Sequence, residues 1–203
     1  MQTLSVLSWL VPGIALVLGG CAPKPEGLIA YIPNGAVAVA YVDLDRARTM
    51  PIYERLPVPA DLKDASAVLA VFDGKNWGTA VQRKSGITAT GIAAKQNGGR
   101  DLLARATVDA PAWLVTRGSV TLPLPGNLTN INRLLHQSDY TAVSAKGSDM
   151  VATAQCRTAE AARHLEENIR ALASLARVEG IDVTSDGVTV QVRAKIPTTV
   201  KLP

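Results

Sequence analysis

The sequence predicts an α+β protein, an antiparallel sheet or sheets with helices packed on one face. Three observations carry that expectation. The first is period-two alternation near the C-terminus. Ile181 and Val183 alternate with Asp182 and Thr184, Ser185-Asp186-Gly187 turns the chain, and Val188, Val190, Val192, Ala194 and Ile196 alternate with Thr189, Gln191, Arg193 and Lys195. Such a hairpin has one dry face that needs a cover. The second observation supplies it: Thr158 caps a segment in which Ala162, Leu165, Ile169, Leu172 and Ala176 recur at spacings of three and four, with Arg163, Glu166, Glu167 and Arg170 facing water. The third is composition. Of 203 residues, 47% are hydrophobic and only 4% aromatic, so the core is built from Ala, Val, Leu and Ile, the mixture that suits β-branched strands under Ala- and Leu-rich helices.

In chain order, Leu4 to Leu18 form an apolar stretch with no charge before Lys24. It is shorter than the roughly 20 residues of a permanent spanning helix, and Pro12-Gly13 weakens it as a helix. The length fits the apolar region of an export signal. The stretch ends in Leu18-Gly19-Gly20-Cys21, which resembles the lipobox of bacterial lipoproteins, although Met1-Gln2-Thr3 lacks the family's usual Lys or Arg. The resemblance implies cleavage after Gly20 and a diacylglyceryl group on Cys21. It also implies a location at the cell membrane or outer membrane, facing the periplasm or exterior; Ala22 in place of Asp resembles the outer-membrane sorting signal of Gram-negative lipoproteins. Several acyl chains on one cysteine anchor a protein stably. Cys156 is then left without a partner in the mature chain, and its apolar-alternating surroundings predict a buried, inert thiol.

Ala22-Pro23-Lys24-Pro25-Glu26-Gly27 reads as a short extended tether. Ala36 to Val42 predicts a buried strand, leading through Asp43 into a short helix over Leu44 to Leu56 that Pro51 limits. Ala67 to Phe72 and Trp77 to Gln82 form a hairpin across Asp73-Gly74-Lys75-Asn76, and Ile87 to Ala93 extends it. The Gly98-Gly99 pair marks the boundary between halves, and Leu102 to Val108 fits either a strand or a short helix. Trp113 to Thr116 reads as strand, Asn127 or Thr129 caps a helix with Leu128, Ile131, Leu134 and Leu135 on one face, and Tyr140 to Ala145 with Met150 to Cys156 makes a hairpin around Gly147-Ser148-Asp149. The expected organisation is a signal peptide over 1–20, lipidated Cys21 and tether over 21–34, a first α+β half over 35–97 and a second over 98–203. A strand, a short helix and a hairpin between Ala36 and Gln82 recur between Val120 and Cys156, so the halves are read either as similar units or as one compact domain.

Few catalytic patterns are present. Asp43-Leu44-Asp45 after a strand resembles the nucleophile motif of haloacid-dehalogenase-like phosphatases, but Arg46 and Ala47 depart from its continuation, and the local reading is a helix cap at Asp43. His164-Leu165-Glu166 matches the first piece of a zinc deaminase signature without the second, and His136 is the only other histidine. Neither Gly118-Ser119 nor Gly147-Ser148 sits in a Gly-x-Ser-x-Gly elbow, and no phosphate-binding glycine loop occurs. Trp77 and Trp113 read as core, or as the lining of a groove for lipid or glycan. The net charge of +4 is spread from Lys24 to Lys201, the densest pair being Arg83-Lys84, which does not make a nucleic-acid arm.

The expected function is a lipid-anchored envelope protein that acts by binding, without catalysis, cofactor or metal. Its partners are the membrane, through the lipid on Cys21, and either another envelope protein or an anionic cell-wall polymer. A carrier or sensor with an apolar cavity between sheet and helix is the alternative, and a hydrolase ranks third.

Overall fold

The structure, a computed structural model, describes residues 26–48, 59–92, 95–123, 129–146, 148–175 and 180–195. The expectations for the leader, Gly20 and Cys21 lie outside these residues, as do those for the later part of the 44–56 helix, Asn127, Leu128, Gly147, Ala176 and Ile196. The described chain runs α1 (Glu26–Ile29), β1 (Ala38–Asp43), α2 (Leu44–Ala47), a 3-10 turn (Ala60–Leu62), β2 (Ala65–Phe72), β3 (Trp77–Arg83), β4 (Gly86–Thr90), α3 (Arg100–Leu103), β5 (Ala112–Arg117), α4 (Thr129–Leu135), β6 (Tyr140–Lys146), β7 (Asp149–Gln155), α5 (Ala159–Leu175), β8 (Ile181–Asp186) and β9 (Thr189–Lys195).

The strands form one sheet in the order β4-β3-β2-β1-β5-β6-β7-β9-β8, and every neighbouring pair is antiparallel. The α+β class and the antiparallel sheet are those expected, but described helices lie on both faces of the sheet rather than on one. Its seam is the β1–β5 pair, which sets Tyr41 opposite Trp113 and Val39 opposite Val115. On one side of the seam the chain continues β1, α2, β2, β3; on the other, β5, α4, β6, β7. The strand-helix-hairpin order thus occurs twice, each unit laid outward from the seam, and the second begins at Ala112 rather than at Val120.

Because successive strand residues point to opposite faces, the register divides the core. One face carries Ala40, Val42, Val68 and Ala70 under Leu44, Ala47 and Leu62, and farther along Ala154, Val183 and Val190 under Ala162 and Leu165 of α5. α4 joins this layer through Leu134, Ile131 and Leu135. The opposite face carries Val39, Tyr41, Leu69, Val71, Trp113 and Val115. It is covered by Leu28 and Ile32 from α1 and its continuation, and by Leu102 of α3. The centre of the sheet is therefore dry on both faces, which is why β1 and β2 read as continuous apolar runs rather than alternating ones.

Several local expectations change. Residues 26–34, read with the tether, are built into the fold, since Leu28 and Ile32 are fully buried. Leu102 to Val108, left open between strand and helix, begins with α3. Gly98 and Gly99, read as a boundary, are a tight contact: a Cβ on Gly98 would stand 2.4 Å from the Pro33 carbonyl, and Gly99 has φ +62 at the start of α3. The α5 stripe is buried at Ala162 and Leu165, partly buried at Ile169 and exposed at Leu172; Leu175, off the stripe, is 81% exposed. Glu166 and Arg170, expected in water, turn back to β8: Glu166 accepts from the Ser185 hydroxyl and from Arg170 Nε at 3.0 Å, and Arg170 donates to the Val183 carbonyl.

Candidate functional site

The residues singled out for chemistry do not converge. Asp43 closes β1 and caps α2: Oδ1 accepts the Arg46 N–H at 3.1 Å. The side chain is fully buried, and Oδ2 has no hydrogen-bond partner. Burial raises its pKa above the ordinary carboxylate range, and the Arg46 N–H bond and charge offset only part of that. Two strand positions back, the Tyr41 phenol is likewise pushed up, first by burial and then by the charge of Asp43. A phosphoryl nucleophile must reach substrate, whereas Asp43 is sealed inside and committed to a cap. Asp45 lies at the surface in an ion pair with Arg48 at 2.8 Å. The helix-cap reading is the one the structure bears out.

The two histidines are separate. His136 Nε2 lies 3.2 Å from Thr121 Oγ1, while His164 stands on α5 between Glu160 and Glu167 at 3.9 and 3.6 Å. Among the described residues no three His, Cys, Asp or Glu side chains are grouped to hold a metal ion, and no helix is long and apolar enough to cross a membrane. Cys156 is buried as expected, and burial, then the charge of Asp139, raises its thiol pKa. Trp113 stacks on Tyr41 at 5.8 Å and Trp77 packs against Phe72 at 4.9 Å. The register puts the two indoles on opposite faces of the sheet, so they line no common groove. The space between α5 and the sheet is filled by Ala154, Cys156, Ala162, Leu165, Val183 and Val190.

What the fold does present is a lane of sheet that no described helix covers. On the face that α1 and α3 cover near the seam, the strands beyond Ala142 carry Ser144, Val151, Thr153, Gln191, Arg193 and Thr184, all partly or fully exposed. Among the described residues, none of the apolar clusters includes a side chain from this lane. Its charges face one another across strands, Asp182 opposite Arg193 and Lys146 opposite Asp149. At the border between covered and open sheet, Asp101 Oδ2 accepts from Arg117 Nη2 at 2.7 Å and from the Tyr140 hydroxyl at 3.3 Å. The Arg105 guanidinium lies 3.8 Å from the centre of the Tyr140 ring and donates to the Asp101 carbonyl at 2.8 Å.

This arrangement suits hydrogen bonding to a flat, neutral, polar surface; it has no nucleophile with an adjacent base. The sequence showed the lane only as the wet half of each alternation. The Asp101-Arg105-Arg117-Tyr140 border left no sequence signal, because its members come from α3, the turn after it, β5 and β6, up to 39 positions apart. No family model, curated protein or solved structure matches this chain.

Proposed function

We propose that the chain is a lipid-anchored cell-envelope protein that works by binding, presenting the open lane of its sheet to another envelope protein. The observation that carries the anchor is the sequence Leu18-Gly19-Gly20-Cys21, whose cysteine stands five residues before the first described helix. The lane supports binding because Ser144, Thr153, Gln191 and Thr184 offer hydroxyls and an amide on one surface. Its charges compensate one another, which favours a neutral protein surface over an anionic wall polymer.

Radioactive palmitate should label the chain and fail to label a Cys21→Ala variant. In cells carrying the lipidated protein, a photo-crosslinking side chain at Thr153 should give a discrete protein adduct, and the same group at Lys75, in the β2–β3 turn, should not. Absent palmitate label refutes the anchor. A labelled protein with no adduct at position 153, or with equal adducts at both positions, refutes the binding face.

A further inference from the structure

The densest basic pair of the sequence, Arg83-Lys84, spans the end of β3 and the β3–β4 turn, and Arg83 pairs with Gly86. The first described helix lies beside this turn. Gly27 of α1 approaches Ile87, the residue after Gly86, closely enough that a Cβ on it would stand 3.3 Å from Ile87 Cδ1. Lys63 belongs to the same end of the sheet, two residues before Ala65, which is opposite Arg83. Arg83 is held internally, by Asp64 Oδ1 at 3.1 Å and the Asp61 carbonyl at 2.6 Å. Lys63 and Lys84 are exposed, and among the described residues neither pairs with a carboxylate. The cluster carries three cations, Lys63, Arg83 and Lys84, against Asp61 and Asp64.

We infer that this end of the sheet faces the membrane, with Lys63 and Lys84 against anionic phospholipid headgroups. The inference rests on the lipid anchor at Cys21. From Cys21 to Glu26 is five peptide steps, at most about 18 Å when fully extended. The first helix, and with it the β3–β4 turn, is therefore held close to the bilayer surface. The other end of β3, with Lys75 in its turn, lies roughly 20 Å farther along the strand. Charges on a membrane act over a screening length of about 8 Å at physiological salt, so Lys63 and Lys84 are in range when Lys75 is not. A lysine near an anionic leaflet favours that orientation about fivefold.

The test uses the full-length lipidated chain, reconstituted in vesicles of phosphatidylglycerol and phosphatidylethanolamine that carry a headgroup-attached quencher. A fluorophore is attached at Ser85→Cys or, separately, at Asn76→Cys, exposed positions in the two turns whose substitution leaves every charge in place; Cys156 is buried and stays unlabelled. Quenching at position 85 should exceed that at position 76 severalfold. The ratio should fall in vesicles of phosphatidylcholine alone, and likewise when Lys63→Glu and Lys84→Glu accompany the label at position 85. Equal quenching at the two positions on a chain that floats with the vesicles overturns this orientation and leaves the anchor standing. A ratio indifferent to lipid charge overturns the role of the lysines. A chain that neither floats nor takes up palmitate overturns the anchor, and the orientation with it.

Discussion

Asp43 is the position where this fold makes its sharpest quantitative commitment. The carboxylate is 0% exposed, one oxygen caps α2 through the Arg46 N–H, and the other has no partner. Replacing it with asparagine keeps the capping oxygen and removes the buried charge. Leaving a neutral donor or acceptor buried and unsatisfied costs about 1–3 kcal/mol, and a charged one more; the asparagine Nδ2 would sit unpaired where Oδ2 was, so Asp43→Asn should stabilise the protein at pH 7 only by the difference, on the order of 1 kcal/mol. Because the folded pKa is raised, the proton is bound more tightly by the native state than by the unfolded chain. The stability Asp43 contributes is fully present below the unfolded value near 3.9 and is lost as pH rises through the raised folded value. The gain from Asp43→Asn should accordingly vanish toward pH 3 and grow to a plateau as the pH approaches neutrality. Urea unfolding of both proteins between pH 3 and pH 8, compared as a difference so that other carboxylates cancel, measures it. Asp43→Ala separates the two roles, since it loses the cap as well, worth about 0.5–2 kcal/mol. A constant difference across the pH range, or an asparagine variant less stable than wild type at pH 7, refutes the reasoning.

Three further outcomes follow from the packing. Leu165→Ala, at a 2% exposed site under the terminal hairpin, should cost about 2–5 kcal/mol in chemical denaturation, whereas Leu175→Ala, 81% exposed on the same helix, should be close to neutral. Gly118→Ala should destabilise by about 3 kcal/mol or abolish the folded state, because the new Cβ would fall 1.6 Å from the Ser138 carbonyl oxygen; circular dichroism melting reads the loss. The Ser185 hydroxyl and Arg170 hold the Glu166 carboxyl below its ordinary range, so their contribution is present above the unfolded pKa and lost as pH falls through the folded one. Ser185→Ala should therefore be less stable than wild type at pH 7, with the gap closing in acid in the same unfolding assay.

The parts of the fold legible in the sequence are those fixed by neighbours along the chain. The β8–β9 hairpin follows from alternation around Gly187, which adopts φ +55, and the β2–β3 hairpin from Asp73, whose carboxylate accepts the N–H groups of Lys75 and Asn76 at 2.8 and 2.7 Å. Thr158 caps the α5 end as its position implies, through the Ala161 N–H at 3.1 Å. Features settled by distant parts of the chain were not legible. Leu28 and Ile32 sit just after two prolines and look like tether until a sheet face is there to bury them. Glu166 is one exposed helical carboxylate among several until Ser185 arrives opposite it. The open lane was visible only as a polar half-pattern, because nothing local distinguishes a face that solvent covers from one that a helix covers.

The seam between β1 and β5 has a consequence for how the molecule comes into being. Its paired residues are 70 to 78 positions apart in sequence, and no helix or hairpin brings them together beforehand. A chain emerging from its N-terminus completes β1, β2 and β3 while the far edge of β1, Ala38-Val39-Ala40-Tyr41-Val42, still has its amides and carbonyls unclaimed. Closing that long loop carries an entropic cost that the hairpins do not, and until Ala112–Arg117 arrives the free edge of β1 is a template for other chains.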